Sequence, residues 1–219
     1  MDYFLHIDKY LEQIIAQFGI WTYVVLFGVI FVETGLVVMP FLPGDSLLFA
    51  AGALAAMGSL KIVWVYVLLI IAAFIGDTVN YWIGHYIGSK AFDPNFKFEI
   101  LNFKLRFNKI FKKEYLEKAQ AFYDKHGGKA IVLARFVPIV RTFAPFVAGV
   151  GKMSYRHFVA YNIIGGVVWV SLFCLSGYFF GNLPIVKNNF HYVVVIIVLI
   201  SVVPIVLEWW KNKNLGLPK

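Results

Sequence analysis

Apolar residues occupy five long runs along the chain, and the length of each run indicates the element that it forms. Residues 60–88 and 157–183 are each long enough to cross a bilayer as one helix, because about 20 apolar residues span its hydrocarbon core. Residues 190–208 predict a further membrane helix at the C-terminus. Residues 14–58 and 130–151 are interrupted by prolines and charges, so they predict broken helices rather than clean spans.

The breaks in these two runs fall at proline. In the first run, Pro40 and Pro43 with Gly44 separate two helical arms, because proline lacks a backbone donor and disfavours helix immediately before itself. In the second run, Pro138 and Pro145 are expected to bend the chain in the same way. We therefore predict a helical hairpin in each run.

Residues 90–129 form the one long polar segment, which contains ten Lys and Arg residues. Within it, residues 114–126 predict an amphipathic helix whose apolar face lies on the membrane surface. Lys and Arg accumulate in cytoplasmic loops, so this segment and the C-terminus are predicted to be cytoplasmic. Counting spans back from that C-terminus brings both ends of residues 130–151 to the cytoplasmic side, which predicts a re-entrant hairpin.

An internal repeat relates the two halves of the chain, because short motifs recur in the same order at an offset of about 95 residues. The paired motifs are Phe41-Leu42-Pro43 with Phe136-Val137-Pro138, Ala51-Gly52 with Ala148-Gly149, and Gly84/Gly88 with Gly177/Gly181. Each copy is a hairpin followed by a spanning helix, and the first copy ends inside whereas the second ends outside. Such inverted repeats with broken helices are typical of transporters whose substrate site lies near the membrane midplane.

The amino-acid composition also indicates a membrane protein, and it limits the classes of function that the chain can have. Of the 219 residues, 60% are hydrophobic and 15% are charged, whereas soluble domains average about 45–50% and about 25%. The net charge of +8 comes from basic residues beside apolar runs, which favours membrane orientation over nucleic-acid binding. The histidines and the single Cys174 lack metal-ligand spacing, so neither metal nor cofactor is expected. We predict an all-α polytopic membrane protein with one domain over residues 1–219.

Three carboxylates are candidates for proton coupling. Glu33 lies within an apolar run, where an ionised group costs about 2.5–3.5 kcal/mol even on insertion scales; alternatively, it reaches the surface near a helix end. Asp45 is a second candidate, although its position also suits a helix cap. Asp77 either binds a proton or forms a hydrogen bond with a neighbouring helix.

Arg135 and Arg141 are the candidates for substrate binding. Guanidinium groups stay charged, so two of them in one re-entrant segment need anionic partners. Those partners are Glu33 and Asp45 across the repeat, a phosphate, or both. Arg135 follows the basic loop closely, so a simple anchoring role at the cytoplasmic face is its alternative.

Several of these motifs resemble the bacterial DedA family, whose eukaryotic relatives are the SNARE-associated Golgi proteins with a VTT domain. The resembling segments, which extend over nearly the whole chain, are residues 31–35, 40–45, 76–77, 134–142 and 148–149. The Phe- and Lys-rich piece at residues 96–113 is longer than in close bacterial relatives and is expected to extend the cytoplasmic loop only.

The resemblance implies a multi-pass lipid transporter of the bacterial inner membrane rather than an enzyme. It suggests proton-coupled movement of undecaprenyl phosphate or a related phosphate-bearing lipid. Arg135 and Arg141 match the family's required arginine pair, and Glu33 and Asp45 match its acidic pair. A proton/cation antiporter, a lipid-phosphate enzyme that uses His157 and a non-catalytic scaffold remain alternatives, and a homo-oligomer is left open.

Overall fold

The computed structural model describes residues 19–36, 44–87, 97–100, 103–106, 113–184 and 186. The helices within these ranges are α1 (Ile20–Gly35), α2 (Gly44–Ala56), α3 (Ile62–Ile87), α4 (Lys113–His126), α5 (Ala130–Ala134), α6 (Pro138–Val150), α7 (Tyr155–Val170) and α8 (Ser176–Gly181). The predicted C-terminal helix over residues 190–208 and the predicted break at Pro40 and Pro43 lie outside the described residues.

Among the residues that the structure describes, two helices are long and apolar enough to cross a membrane. The first is α3, with 26 residues. The second is formed by α7, a π-helical turn at Ser171–Leu175 and α8, which together make a continuous helix of 27 residues from Tyr155 to Gly181. These two helices confirm the long apolar helices predicted at residues 60–88 and 157–183, and that they cross the membrane stays a prediction.

The second broken run divides where its first proline stands. Helix α5 ends at Ala134, and α6 begins with Pro138 after an extended Val137. The predicted break at Pro138 is therefore confirmed, but a break at Pro145 is wrong, because Pro145 lies inside α6. A proline removes one helical hydrogen bond without always ending the helix. Whether this segment re-enters the membrane stays a prediction.

The first broken run also gives two helices, α1 and α2, on either side of residues 37–43. Gly44 is the first residue of α2 and is buried, so it begins a helix rather than forming part of a break. Asp45 lies in the first turn of α2, where a negative charge is favourable because the helix dipole is positive at that end.

The polar segment contains strands that an all-α description leaves out. Strand β1 (Lys97–Ile100) pairs antiparallel with β2 (Phe103–Arg106), with Lys97 opposite Arg106 and Ile100 opposite Phe103. The alternation of apolar and polar residues in this stretch has the period of a strand, which accounts for the difference. The described residues are therefore mainly helical, with a small two-stranded sheet in the polar segment.

Helix α4 confirms the predicted amphipathic helix, but its apolar face has a different partner. Phe122 and Tyr123 pack against a buried cluster of apolar residues that includes Ile131, Phe143 and Phe146. The expectation that this face lies on the membrane surface is therefore wrong for these two residues. An apolar stripe of helical period reports only that the face is covered, not whether lipid or protein covers it.

The described residues fall into two compact units. The first unit takes the described residues of the ranges 1–27, 41–69 and 170–219, and the second takes those of 28–40 and 70–169. Each unit therefore contains a hairpin helix from one sequence repeat and part of a spanning helix from the other. The apolar core around Phe143, Phe146 and Phe158 belongs to the second unit.

The same close helix crossing occurs in each unit. In the second unit, a Cβ atom on Gly84 of α3 would overlap the carbonyl oxygen of Phe146 in α6, and one on Gly149 would overlap that of Tyr81. In the first unit, the equivalent overlaps are Gly177 with the Phe49 carbonyl oxygen and Gly52 with that of Cys174. Paired motifs of the predicted repeat thus hold equivalent packing positions, while the inverted orientation of the repeats stays a prediction.

We expect Gly84→Ala to lower the free energy of unfolding by about 1–3 kcal/mol, because its Cβ atom overlaps backbone that cannot rotate away. Gly28→Ala is the matched control, since nothing lies within 4 Å of a Cβ atom there. It is expected to raise stability by about 0.5–1 kcal/mol, as alanine does within a helix. Denaturant unfolding in detergent micelles measures both, and equal effects of the two variants would contradict the crossing.

Candidate functional site

Four charged side chains are buried together with the core of the second unit. The exposed fractions are 2% for Glu33, 4% for Asp77, 3% for Arg135 and 9% for Arg141. Glu33 comes from the last turns of α1, Asp77 from the middle of α3, Arg135 from the turn between α5 and α6, and Arg141 from the first turns of α6. Charged residues are almost never buried so completely unless they are paired.

Each arginine is paired with one carboxylate. Arg141 donates from Nη2 to Oε1 of Glu33, and Arg135 donates from Nη2 to Oδ2 of Asp77. Charge-assisted bonds of this kind are roughly twice as strong as neutral hydrogen bonds. The pairing also keeps four desolvated charges close to neutral overall, which lowers the cost of burying them.

The pairing revises the partners expected from the sequence. Arg141 does face Glu33 across the repeat, as predicted, but Arg135 takes Asp77 rather than Asp45. Asp45 belongs to the first unit, whereas Glu33 and both arginines belong to the second. Sequence spacing does not distinguish Asp45 from Asp77 as the partner of Arg135.

Burial and ion pairing also decide between the alternative interpretations of Glu33 and Arg135, but not of Asp77. Glu33 does not reach the surface, and Arg135 is not an exposed anchor, because both are buried and ion-paired within the protein. Asp77 does contact another part of the chain, through its ion pair with Arg135. This contact leaves its predicted proton-binding role open.

Trp169 contacts both arginines, which the sequence pattern does not predict. The guanidinium carbon of Arg141 lies 5.0 Å from the centroid of the Trp169 ring, and that of Arg135 lies 5.6 Å from it. Trp169 is fully buried. An aromatic face attracts cations, most strongly where water is excluded, so the ring lets two like charges lie near each other.

Asn162 supports the Arg135–Asp77 pair from α7. Its Oδ1 atom accepts a hydrogen bond of 2.6 Å from Nη2 of Arg135, and its Nδ2 atom donates to the carbonyl oxygen of Phe74 at 3.2 Å. Within the part of the chain that the structure describes, Nε and Nη1 of Arg135 have no hydrogen-bond partner. Arg135 therefore holds its carboxylate with one nitrogen and keeps donors on the other two.

Glycines allow the helices that carry these charges to approach closely. A Cβ atom on Gly35 would lie 3.2 Å from Cα of Gly76, so α1 and α3 nearly touch beside Glu33 and Asp77. Small residues permit such contacts between helices in membranes. On α7, a Cβ atom on Gly165 would lie 3.0 Å from Nε of Arg135, so this glycine makes room for the guanidinium.

Metal chemistry finds no support in this region. Among the residues that the structure describes, no group of three or more His, Cys, Asp or Glu side chains is placed to hold a metal ion. The charged groups present are two cations with five donors each and two carboxylates. Such a set is suited to binding an anion and to exchanging protons.

The described residues form a helical protein with two helices long and apolar enough to cross a membrane and with buried ion pairs in its second unit. The VTT domain family matches residues 42–179 of the chain. The chain is 53% identical to the Escherichia coli K12 "Protein DedA" over 217 residues, and these residues are 98% of this chain and 94% of that protein. The chain belongs to the DedA family of VTT-domain membrane proteins.

Two less similar relatives are also named as membrane proteins. An uncharacterized membrane protein of Mycobacterium leprae is 38% identical over 182 residues, which is 83% of this chain and 77% of that protein. The inner membrane protein YghB of Escherichia coli K12 is 31% identical over 180 residues, or 82% of this chain and 77% of that protein. No solved structure matches the chain.

Removing one member of the Arg135–Asp77 pair is expected to be far more harmful than removing both. Asp77→Leu leaves a buried guanidinium without its counter-charge, which costs about 3–5 kcal/mol of stability, whereas replacing a whole pair by apolar residues is often neutral. The Asp77→Leu/Arg135→Met double variant is therefore expected to be more stable than Asp77→Leu alone. Denaturant unfolding in detergent measures this, and additive losses would contradict the pairing.

Proposed function

We propose that this protein is a lipid transporter that carries a phosphate-bearing lipid across the membrane. Its substrate is undecaprenyl phosphate or a lipid of related chemistry. During transport, the headgroup of this lipid contacts Arg135 and Arg141 while its hydrocarbon tails stay in the bilayer. The main support is the state of Arg135, which is buried, positively charged and carries donors on Nε and Nη1 without partners in the described chain.

Unpaired donors on a buried guanidinium favour a ligand rich in acceptors. Leaving such donors unsatisfied costs free energy, and more so for a charged group. A phosphate offers several strong acceptor oxygens and a negative charge, and arginine is the side chain best suited to it. Arg141, which also contacts the Trp169 ring, supplies a second positive charge for the same headgroup.

Carboxylates and headgroup would compete for the same arginines. When Glu33 or Asp77 takes up a proton, its attraction to the paired arginine falls, and that arginine becomes available to phosphate. Release of the headgroup restores the ion pair and expels the proton. This exchange would couple lipid movement to the proton gradient, with Asp45 as a third proton-coupling candidate in the first unit.

The setting of this function is the bacterial inner membrane. The name of YghB places that relative there, and the ten basic residues of segment 90–129 favour a cytoplasmic location for this loop. The C-terminus lies on the same side in this proposal. The partners are the bilayer, protons and the phosphate-bearing lipid, without nucleic acid.

The rival functions fit the site less well. A proton/cation antiporter needs carboxylates that bind the cation, but Glu33 and Asp77 are both held by arginines. A lipid-phosphate enzyme needs a nucleophile beside its arginines. His157 lies instead at the exposed start of α7, where its Nδ1 atom is 2.7 Å from the hydroxyl of Ser154.

The lipid assignment predicts that Arg141→Ala slows lipid movement in proteoliposomes by about tenfold or more, because a charge-assisted contact to the headgroup is lost. The assay follows a fluorescent polyprenyl phosphate from one leaflet to the other. Arg156→Ala removes the same charge from an exposed position and is the control, with a rate near that of the wild type. Wild-type movement by Arg141→Ala would contradict the proposal.

Proton coupling predicts a distinct result for Glu33→Gln. In the wild type, we expect the rate of lipid movement to rise as the pH falls, because protonation of Glu33 frees Arg141. The amide of Glu33→Gln mimics the protonated acid at every pH, so we expect this rise to be largely lost in the variant. The same vesicles, assayed across pH values with equal lipid loading, measure this dependence. An unchanged pH dependence would remove Glu33 from proton coupling while leaving lipid binding by the arginines intact.

A further inference from the structure

Asn80 joins three helices inside the second unit. It lies on α3, three residues after Asp77, and is fully buried. Its Nδ2 atom donates to the carbonyl oxygen of Thr34 in α1 at 3.0 Å and to the carbonyl oxygen of Thr142 in α6 at 2.8 Å. A single side-chain amide therefore uses both of its N–H groups to hold two other helices.

The two carbonyl groups that accept from Asn80 lie next to the two members of an ion pair. Thr34 directly follows Glu33, and Thr142 directly follows Arg141. Glu33 and Arg141 are the two members of one buried ion pair. Asn80 thus fixes the backbone next to each partner without contacting the charges themselves through these bonds.

Local backbone geometry explains why the Thr34 carbonyl needs an outside donor. The last four carbonyl groups of a helix have no partner within it, and Thr34 is the penultimate residue of α1. In α6, Pro145 has no N–H group, so the helical bond that it cannot donate is the one to the carbonyl group of Arg141, the residue before Thr142. The Asn80 amide therefore satisfies the Thr34 carbonyl and adds a bond to the Thr142 carbonyl beside Arg141.

We propose that Asn80 is a positioning residue that keeps Glu33 and Arg141 in contact. Its importance for transport rests on the function proposed above, but its effect on the ion pair does not. The Arg135–Asp77 pair is supported separately, by Asn162. Loss of the Asn80 amide is therefore expected to loosen one ion pair and leave the other closed.

The chemistry of the side chain makes this role specific. An amide provides two N–H donors in one plane, a hydroxyl provides one, and leucine, of similar size, provides none. Asn80→Leu therefore removes both bonds, and Asn80→Ser retains at most one. Thr78→Val is the matched control on the same helix, because the Thr78 hydroxyl donates to the Phe74 carbonyl oxygen of its own helix, at 2.8 Å.

The test is the labelling of Glu33 and Asp77 by dicyclohexylcarbodiimide in the full chain, purified in detergent at pH 7. This reagent reacts with protonated carboxyl groups in apolar surroundings, so an ion-paired carboxylate reacts slowly. Mass spectrometry of the peptides gives the rate for each residue separately. No lipid substrate is present, so the result is independent of the lipid-movement assay.

We expect Asn80→Leu to raise the labelling rate of Glu33 by about fivefold, because both hydrogen bonds that hold the backbone beside the ion pair are lost. The rate for Asp77 should stay at the wild-type value, Asn80→Ser should fall between wild type and Asn80→Leu, and Thr78→Val should match the wild type. If Asn80→Leu does not fold, Asn80→Ser alone carries the test. Unchanged Glu33 labelling, or a parallel rise for Glu33 and Asp77, would overturn the proposal.

Discussion

The pairing of two buried arginines with two buried carboxylates is the constraint on which the second unit depends. Taking an ion out of water costs several kcal/mol even after relaxation, so each charge requires its partner and further hydrogen bonds. The surroundings supply them: Trp169 lies against both guanidinium groups, and Asn162 accepts from Arg135. The glycines at positions 35 and 76 bring the carboxylate-bearing helices together.

The two units show how one backbone arrangement can carry different chemistry. Their glycine-mediated helix crossings are equivalent, with hairpin helix α2 against the second spanning helix and hairpin helix α6 against the first. In the first unit, the hydroxyl groups of Tyr66 and Ser171 meet at 2.7 Å, whereas the second unit has buried ion pairs. Equivalent helix crossings therefore support the fold in both units, and the buried pairs of Arg135 and Arg141 lie in the second.

Much of this architecture is readable from the sequence, because long apolar runs and prolines have direct structural consequences. The spans, the break at Pro138 and the unusual character of Glu33, Arg135 and Arg141 all follow from such patterns. The pairing of Arg135 with Asp77 does not, because contacts between distant segments depend on helix rotation and depth. Asn162 was not predicted, and its one signal in the sequence is that a polar residue lies within an apolar run, which indicates a buried partner without identifying it.

The central claim is that the arginines of this site bind a phosphate headgroup. The most direct measurement compares the dissociation constants of a short-chain polyprenyl phosphate and the matching uncharged polyprenol for the purified protein at fixed pH and salt. The account predicts that the phosphate binds at least about tenfold more tightly, as expected for contacts between charged groups, and that Arg135→Met removes most of this preference. Equal affinities for the phosphate and the alcohol would contradict it.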